Sequence, residues 1–142
     1  MEIQVATLCD SASDYNGKLC VLGTFDTICS SGLPIVHPHC SLALRLCFKP
    51  GDEGLHTVTV SFINDDGKPI MEPFREKIDI KLPNEAYFLT RNLILNFQRL
   101  TFGSTGQFSI DVSVDDEMLA RIPLRVLLYK RNDQAPPAEP AP

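Results

Sequence analysis

TGQFSIDVSVDDEMLARIPLRVLLY, residues 105–129, alternates apolar and polar side chains on either side of an acidic turn. Phe108, Ile110, Val112 and Val114 share one side; Ser109, Asp111 and Ser113 take the other. Asp115-Asp116-Glu117 reverses the chain, and Ile122, Leu124, Val126 and Leu128 return. Side chains on a strand repeat every two residues, so the stretch reads as a β-hairpin with one buried face. A sheet protein is the consequence, with its polar positions on solvated faces and in turns.

Working outward, six further segments carry strand signals, and with the hairpin they make about eight strands. The first covers 3–8. The second, 18–28, follows Asp14-Tyr15-Asn16-Gly17 and is apolar on both faces, as a central or doubly covered strand is. In 40–48, Leu42, Leu44, Leu46 and Phe48 share a face before the breaker Pro50-Gly51-Asp52-Glu53-Gly54. In 55–63, Val58, Val60 and Phe62 alternate with Thr57, Thr59 and Ser61, and 77–82 and 92–97 complete the set. No long window has a 3.6-residue apolar stripe, although 85–89 has the length of one helical turn. Eight short strands with single apolar faces pack as two antiparallel sheets, a β-sandwich for which immunoglobulin-like and C2-like Greek keys are the nearest analogies.

At 142 residues the chain is the size of one domain, assigned to 1–130. Residues 131–142 contain four of its eleven prolines and no large apolar side chain, and read as a disordered Pro/Ala-rich tail. A net charge of −5, no basic run and no tryptophan argue against nucleic acid. The first residues lack a secretion signal, and no apolar run approaches membrane-spanning length, so a cytoplasmic protein without membrane attachment is expected. Cys9, Cys20, Cys29, Cys40 and Cys47 are odd in number and form no CxxC pair; reduced thiols, mostly buried, fit them better than disulfides.

Few residues suggest chemistry. His37-Pro38-His39-Cys40 places two imidazoles on one side of an extended chain, but a zinc site needs a second ligand pair that the sequence does not offer, and a loop-to-strand transition explains the cluster without a metal. Cys40 as a nucleophile with His37 or His39 would be an enzyme, yet Cys40 opens an apolar strand, and phosphate-loop, GxSxG and HExxH patterns are absent. No catalytic residue and no cofactor are assigned. If each strand crosses the sandwich once, loops 9–17, 50–54, 83–91 and 115–117 share one end. Asp10, Asp14, Asp52, Asp115 and Asp116 would there form a carboxylate rim able to hold calcium, which takes six to eight oxygens; a solvated, solubilising rim is the competing expectation. Arg91, Arg99, Arg121 and Arg125 lie on or near strands, where ion pairs with neighbouring acids are expected. The last strand carries Leu127 and Tyr129 opposite Val126 and Leu128, and such two-sided apolarity marks Leu127 and Tyr129 as a candidate interface.

The segments Ala6-Thr7-Leu8-Cys9-Asp10, Gly17-Lys18-Leu19-Cys20-Val21-Leu22-Gly23-Thr24-Phe25-Asp26, His37-Pro38-His39-Cys40 and Ala120-Arg121-Ile122-Pro123-Leu124 resemble an uncharacterised bacterial family of small all-β domains of unknown function. The resemblance spans nearly the whole folded part. It implies a compact β-domain and supplies no catalytic residues. The expectation for function is a non-enzymatic domain that binds a protein partner or itself through an exposed edge strand or the last strand. A small-ligand or calcium module at the acidic rim is the alternative, and a Cys/His enzyme the second.

Overall fold

The computed structural model describes residues 1–129. The tail expected over 131–142 lies outside the described residues. The chain forms nine strands: β1 Glu2–Tyr15, β2 Lys18–Thr24, β3 Thr27–Ser30, β4 Ile35–Phe48, β5 Gly54–Asn64, β6 Phe74–Ile80, β7 Leu89–Phe102, β8 Gly106–Val114 and β9 Glu117–Leu128. They make two sheets, ordered β2-β1-β4-β7 and β3-β9-β8-β5-β6. The all-β sandwich expected from alternation is therefore observed, with no helix among the described residues. Residues 85–89 make no helical turn; a turn at Asn84 and Glu85, the latter at φ 64°, occupies their start.

Alternation became structure most directly in the five-stranded sheet. Phe108, Ile110, Val112 and Val114 of β8 and Val58, Val60 and Phe62 of β5 are all buried, while the residues between them stay accessible. Asp115 and Asp116, at φ 50° and 68°, make the tight β8–β9 turn, a left-handed pair whose twist matches that of the strands it joins. The facing sheet contributes Leu42, Leu44, Leu46 and Phe48. Phe62 of one sheet meets Phe97 of the other edge-on, with ring centroids 5.3 Å apart, and joins the two layers.

Two departures from the expected plan concern the segment 18–28. It is two strands in different sheets rather than one central strand. β2 is an exposed edge, and the chain crosses at Phe25 and Asp26 to β3, which pairs parallel with β9. This crossing raises the strand number to nine and makes one pairing parallel in an otherwise antiparallel sandwich. Gly23, two residues before the crossing, sits at φ +70°, a conformation that L side chains rarely adopt.

β1 also does not run straight. Val5 is the register partner of Arg45 and Cys9 that of Ser41, so the strand leaves Arg45 behind as it advances. Yet Arg45 Nη1 donates to the Gly17 carbonyl at 2.9 Å, and Asn92 Nδ2 donates to Asp14 Oδ2 at 2.9 Å. A straight strand would put Gly17 about 40 Å from Val5. The β1–β2 hairpin must double back over the outer face of its own sheet. That cover explains why β4 is buried on both faces, with Ser41, Ala43 and Cys47 as inaccessible as Leu42, Leu44 and Leu46.

Candidate functional site

At the end of the sandwich where β4–β5 and β8–β9 turn, the polar residues are bonded to one another. The Asp52 carboxylate accepts the Lys49 N–H at 2.8 Å and lies 3.0 Å from the Met1 ammonium. Both contacts, the backbone bond first, hold its carboxyl below the usual carboxylate range. Asp115 caps the neighbouring β5: Oδ1 accepts the Thr57 N–H at 2.9 Å, and Asp115 N–H donates to the Thr57 carbonyl at 2.9 Å. Between them stands His56. Its Nδ1 lies 2.5 Å from Asp115 Oδ2 and its Nε2 2.6 Å from the Asp52 carbonyl oxygen. Carboxylate and carbonyl oxygens only accept, so both contacts are hydrogen bonds at once only when both ring nitrogens carry a proton, and the site favours the imidazolium form of His56. The bond to Asp115, then that to Asp52, raises its pKa.

The five rim carboxylates proposed from sequence are thus divided. Asp52 and Asp115 meet around His56. Asp116 stands exposed in the same turn as Asp115. Asp14 belongs to the doubled-back hairpin, where its carboxylate takes the Asn92 amide and the Gly17 N–H, each at 2.9 Å. Asp10 lies where that hairpin folds back, its carboxylate against Gly23. Among the described residues no group of three or more His, Cys, Asp or Glu is gathered as a metal-holding set.

His37 and His39 do not share a side. The burial phase slips between Ile35 and Cys40, both fully inaccessible though an odd number of residues apart, as Pro38 interrupts the strand. His37 stacks on Phe25 with centroids 5.3 Å apart, whereas His39 is exposed opposite Gln98. Burial pushes the Cys40 thiol up to about 11, the reverse of an activated nucleophile. Cys9 and Cys47 are likewise buried, and Cys20 and Cys29 are exposed; all five are free. The last strand is not an edge, since β9 lies between β8 and β3 and Tyr129 N–H donates to the Ser30 carbonyl. Leu127 and Tyr129 remain 43% and 54% exposed as side chains only.

The strand expected over 92–97 is the core of β7, and the feature missed from sequence is its length and its open edge. Its fourteen residues pair along one side with β4 from Leu89 to Phe102, and among the described residues no strand pairs with the other side. A hollow of about 430 Å³ follows that open side: six consecutive β7 residues, 96–101, form one wall, and Ile70, Met71 and Phe74 form the other. Consecutive residues point to alternate faces, so a hollow lined by all six runs along the backbone edge. Phe74, 39% exposed and packed edge-on against Phe97 at 5.0 Å, separates it from a smaller hollow of about 110 Å³ reaching Val58, Val60, Leu93 and Leu95. The sequence signal was the apolar run 93–95 and Phe97 between two arginines, without the order of strands that would reveal it as an edge.

No helix of the described residues is long and apolar enough to cross a membrane. A search of curated proteins finds no match. A family of unknown function (DUF6941) matches residues 4–127, which is nearly all of the sandwich from β1 to β9, and the chain belongs to that family.

Proposed function

We propose that this domain is a non-enzymatic protein-interaction module that accepts an extended segment of a partner as an added strand along the open side of β7. The observation that carries the reading is that, among the described residues, a fourteen-residue strand is paired on one side only, beside a hollow walled by Ile70, Met71 and Phe74. Main-chain groups of the edge supply affinity, and the hollow accepts alternate side chains of the added strand. Its volume falls within the usual range for binding sites. The five free cysteines suit a reducing compartment, and the domain is taken to act in the cytoplasm.

The test is a panel of ten-residue peptides of alternating apolar and polar residues, each paired with a copy N-methylated at every second residue, followed by amide NMR. Binding should perturb Leu89–Phe102 and residues 70–74, slow exchange of the outward β7 amides, and be lost with the methylated copies. Perturbation of another surface, indifference to N-methylation, or no binding would overturn the reading.

A further inference from the structure

The open edge has a charge of its own. β7 carries two arginines and no carboxylate, in a chain whose net charge is −5. Of the four arginines singled out in the sequence, two are neutralised within the fold. Arg121 meets both oxygens of Asp111 at 3.0 Å, and Arg125 lies 3.5 Å from Asp26. Arg91 and Arg99 are exposed, and among the described residues neither has a carboxylate within 4.0 Å. They flank the middle of the open edge, about 27 Å apart along an extended chain. Arg99 borders the larger hollow.

These charges select the occupant. A second copy pairing antiparallel through β7 about a two-fold axis at Leu95 would set Arg91 directly opposite Arg99 of its mate, and like charges directly opposed across strands are destabilising. An added strand bearing Asp or Glu near both ends reverses the sign of that term at each arginine. Apolar side chains at its alternate positions would face Ile70, Met71 and Phe74. We infer that the segment received by β7 is an extended acidic peptide of another protein, with apolar residues at alternate positions. This rests on the strand-addition reading above and adds the chemical class of the partner.

The probes are (Asp-Val)5 and (Lys-Val)5, titrated against the full chain in low salt and in 0.5 M NaCl. The acidic peptide should bind at least tenfold more tightly in low salt, and the preference should shrink in high salt, where charges are screened beyond about 4–5 Å. The double variant Arg91→Glu/Arg99→Asn should reverse the preference; Asn is used because Arg99 sits at φ +58°, a conformation Asn tolerates. An unchanged melting temperature separates charge from folding, and the single variant Arg91→Gln, expected to lose severalfold affinity for the acidic peptide, gives a second check. If both peptides bind β7 equally, or the double variant keeps the original preference, the acidic partner is wrong while strand addition stands. Binding of neither peptide would overturn both.

Discussion

His56 shows how much a single side chain can be asked to do. It is mostly buried, it joins two turns that are far apart in sequence, and both of its nitrogens face acceptors. The sign of its pH dependence follows. Its folded pKa is raised, so its contribution is complete below the unfolded value near 6.5 and is lost as pH rises through the folded one. Asp115 is held low by the Thr57 N–H and then by His56, and Asp52 by the Lys49 N–H and the amino terminus. Their contributions are complete above about 3.9 and lost as pH falls through their depressed values. The clamp is therefore strongest between about pH 4 and pH 6.5. His56→Gln should cost about 1 kcal/mol at pH 6, the low end for a bond to a charged group because Asp115 is 45% exposed, and markedly less at pH 9. Denaturant melts at the two pH values check it; a cost that does not fall with pH would show that His56 is not held as a cation. Nothing in the sequence around His56 marks it out. Its carboxylate partner arrives from a turn more than fifty residues away, and alternation carries no information about such meetings.

At the scale of elements, the hairpin of β1 and β2 separates what periodicity can show from what it cannot. Asn16-Gly17, at φ 52° and 81°, is a turn that the sequence advertises. The reversal at its base is not advertised, because it depends on one glycine and on polar groups of other strands. Gly23 lies at φ +70°, and a Cβ there would come 2.6 Å from Asp10 Oδ2. The Asp10 side chain can swing aside, so the backbone conformation sets the larger part of the cost. Gly23→Ala should destabilise by about 1–2 kcal/mol. Gly103→Ala, with open space around its Cβ and no positive φ, is the control and should stay within about 0.5 kcal/mol. Equal costs in urea melts would mean that the fold-back does not depend on Gly23. The same logic explains why 18–28 was expected to be central: its two-sided apolarity is real, but it serves β2, lying over the sheet, and β3, pairing with β9.

For the whole molecule, the alternation of 105–129 correctly announced a sandwich, and it said nothing of the pairing that closes it. Thr27–Ser30 pair in parallel with residues 125–128, about 100 residues further along the chain. Arg125 N–H donates to the Asp26 carbonyl and Tyr129 N–H to that of Ser30, so the last strand ties the fifth of the chain made first into the sheet made last. Parallel pairs join segments whose connection must travel elsewhere, and here everything from β4 to β8 is that connection. β9 also brings Leu124 and Val126, both fully buried, which at about 1.5–3 kcal/mol each are worth together about 3–6 kcal/mol. A domain of ordinary stability holds only about 5–15 kcal/mol in all, and removing β9 additionally unpairs β3 and one side of β8. A chain ending at residue 116 should therefore show no cooperative thermal transition and little amide protection in β5 and β8, although it retains every residue of the other sheet. If it melted cooperatively within 5 °C of the full chain, the two sheets would be separable units and the closing role of β9 would be wrong. Folding should accordingly wait for the end of the chain: long-range pairing places it in the millisecond-to-second class, and refolding of the full chain by stopped-flow fluorescence of Tyr15, Tyr87 and Tyr129 would place it there or show a faster, local route.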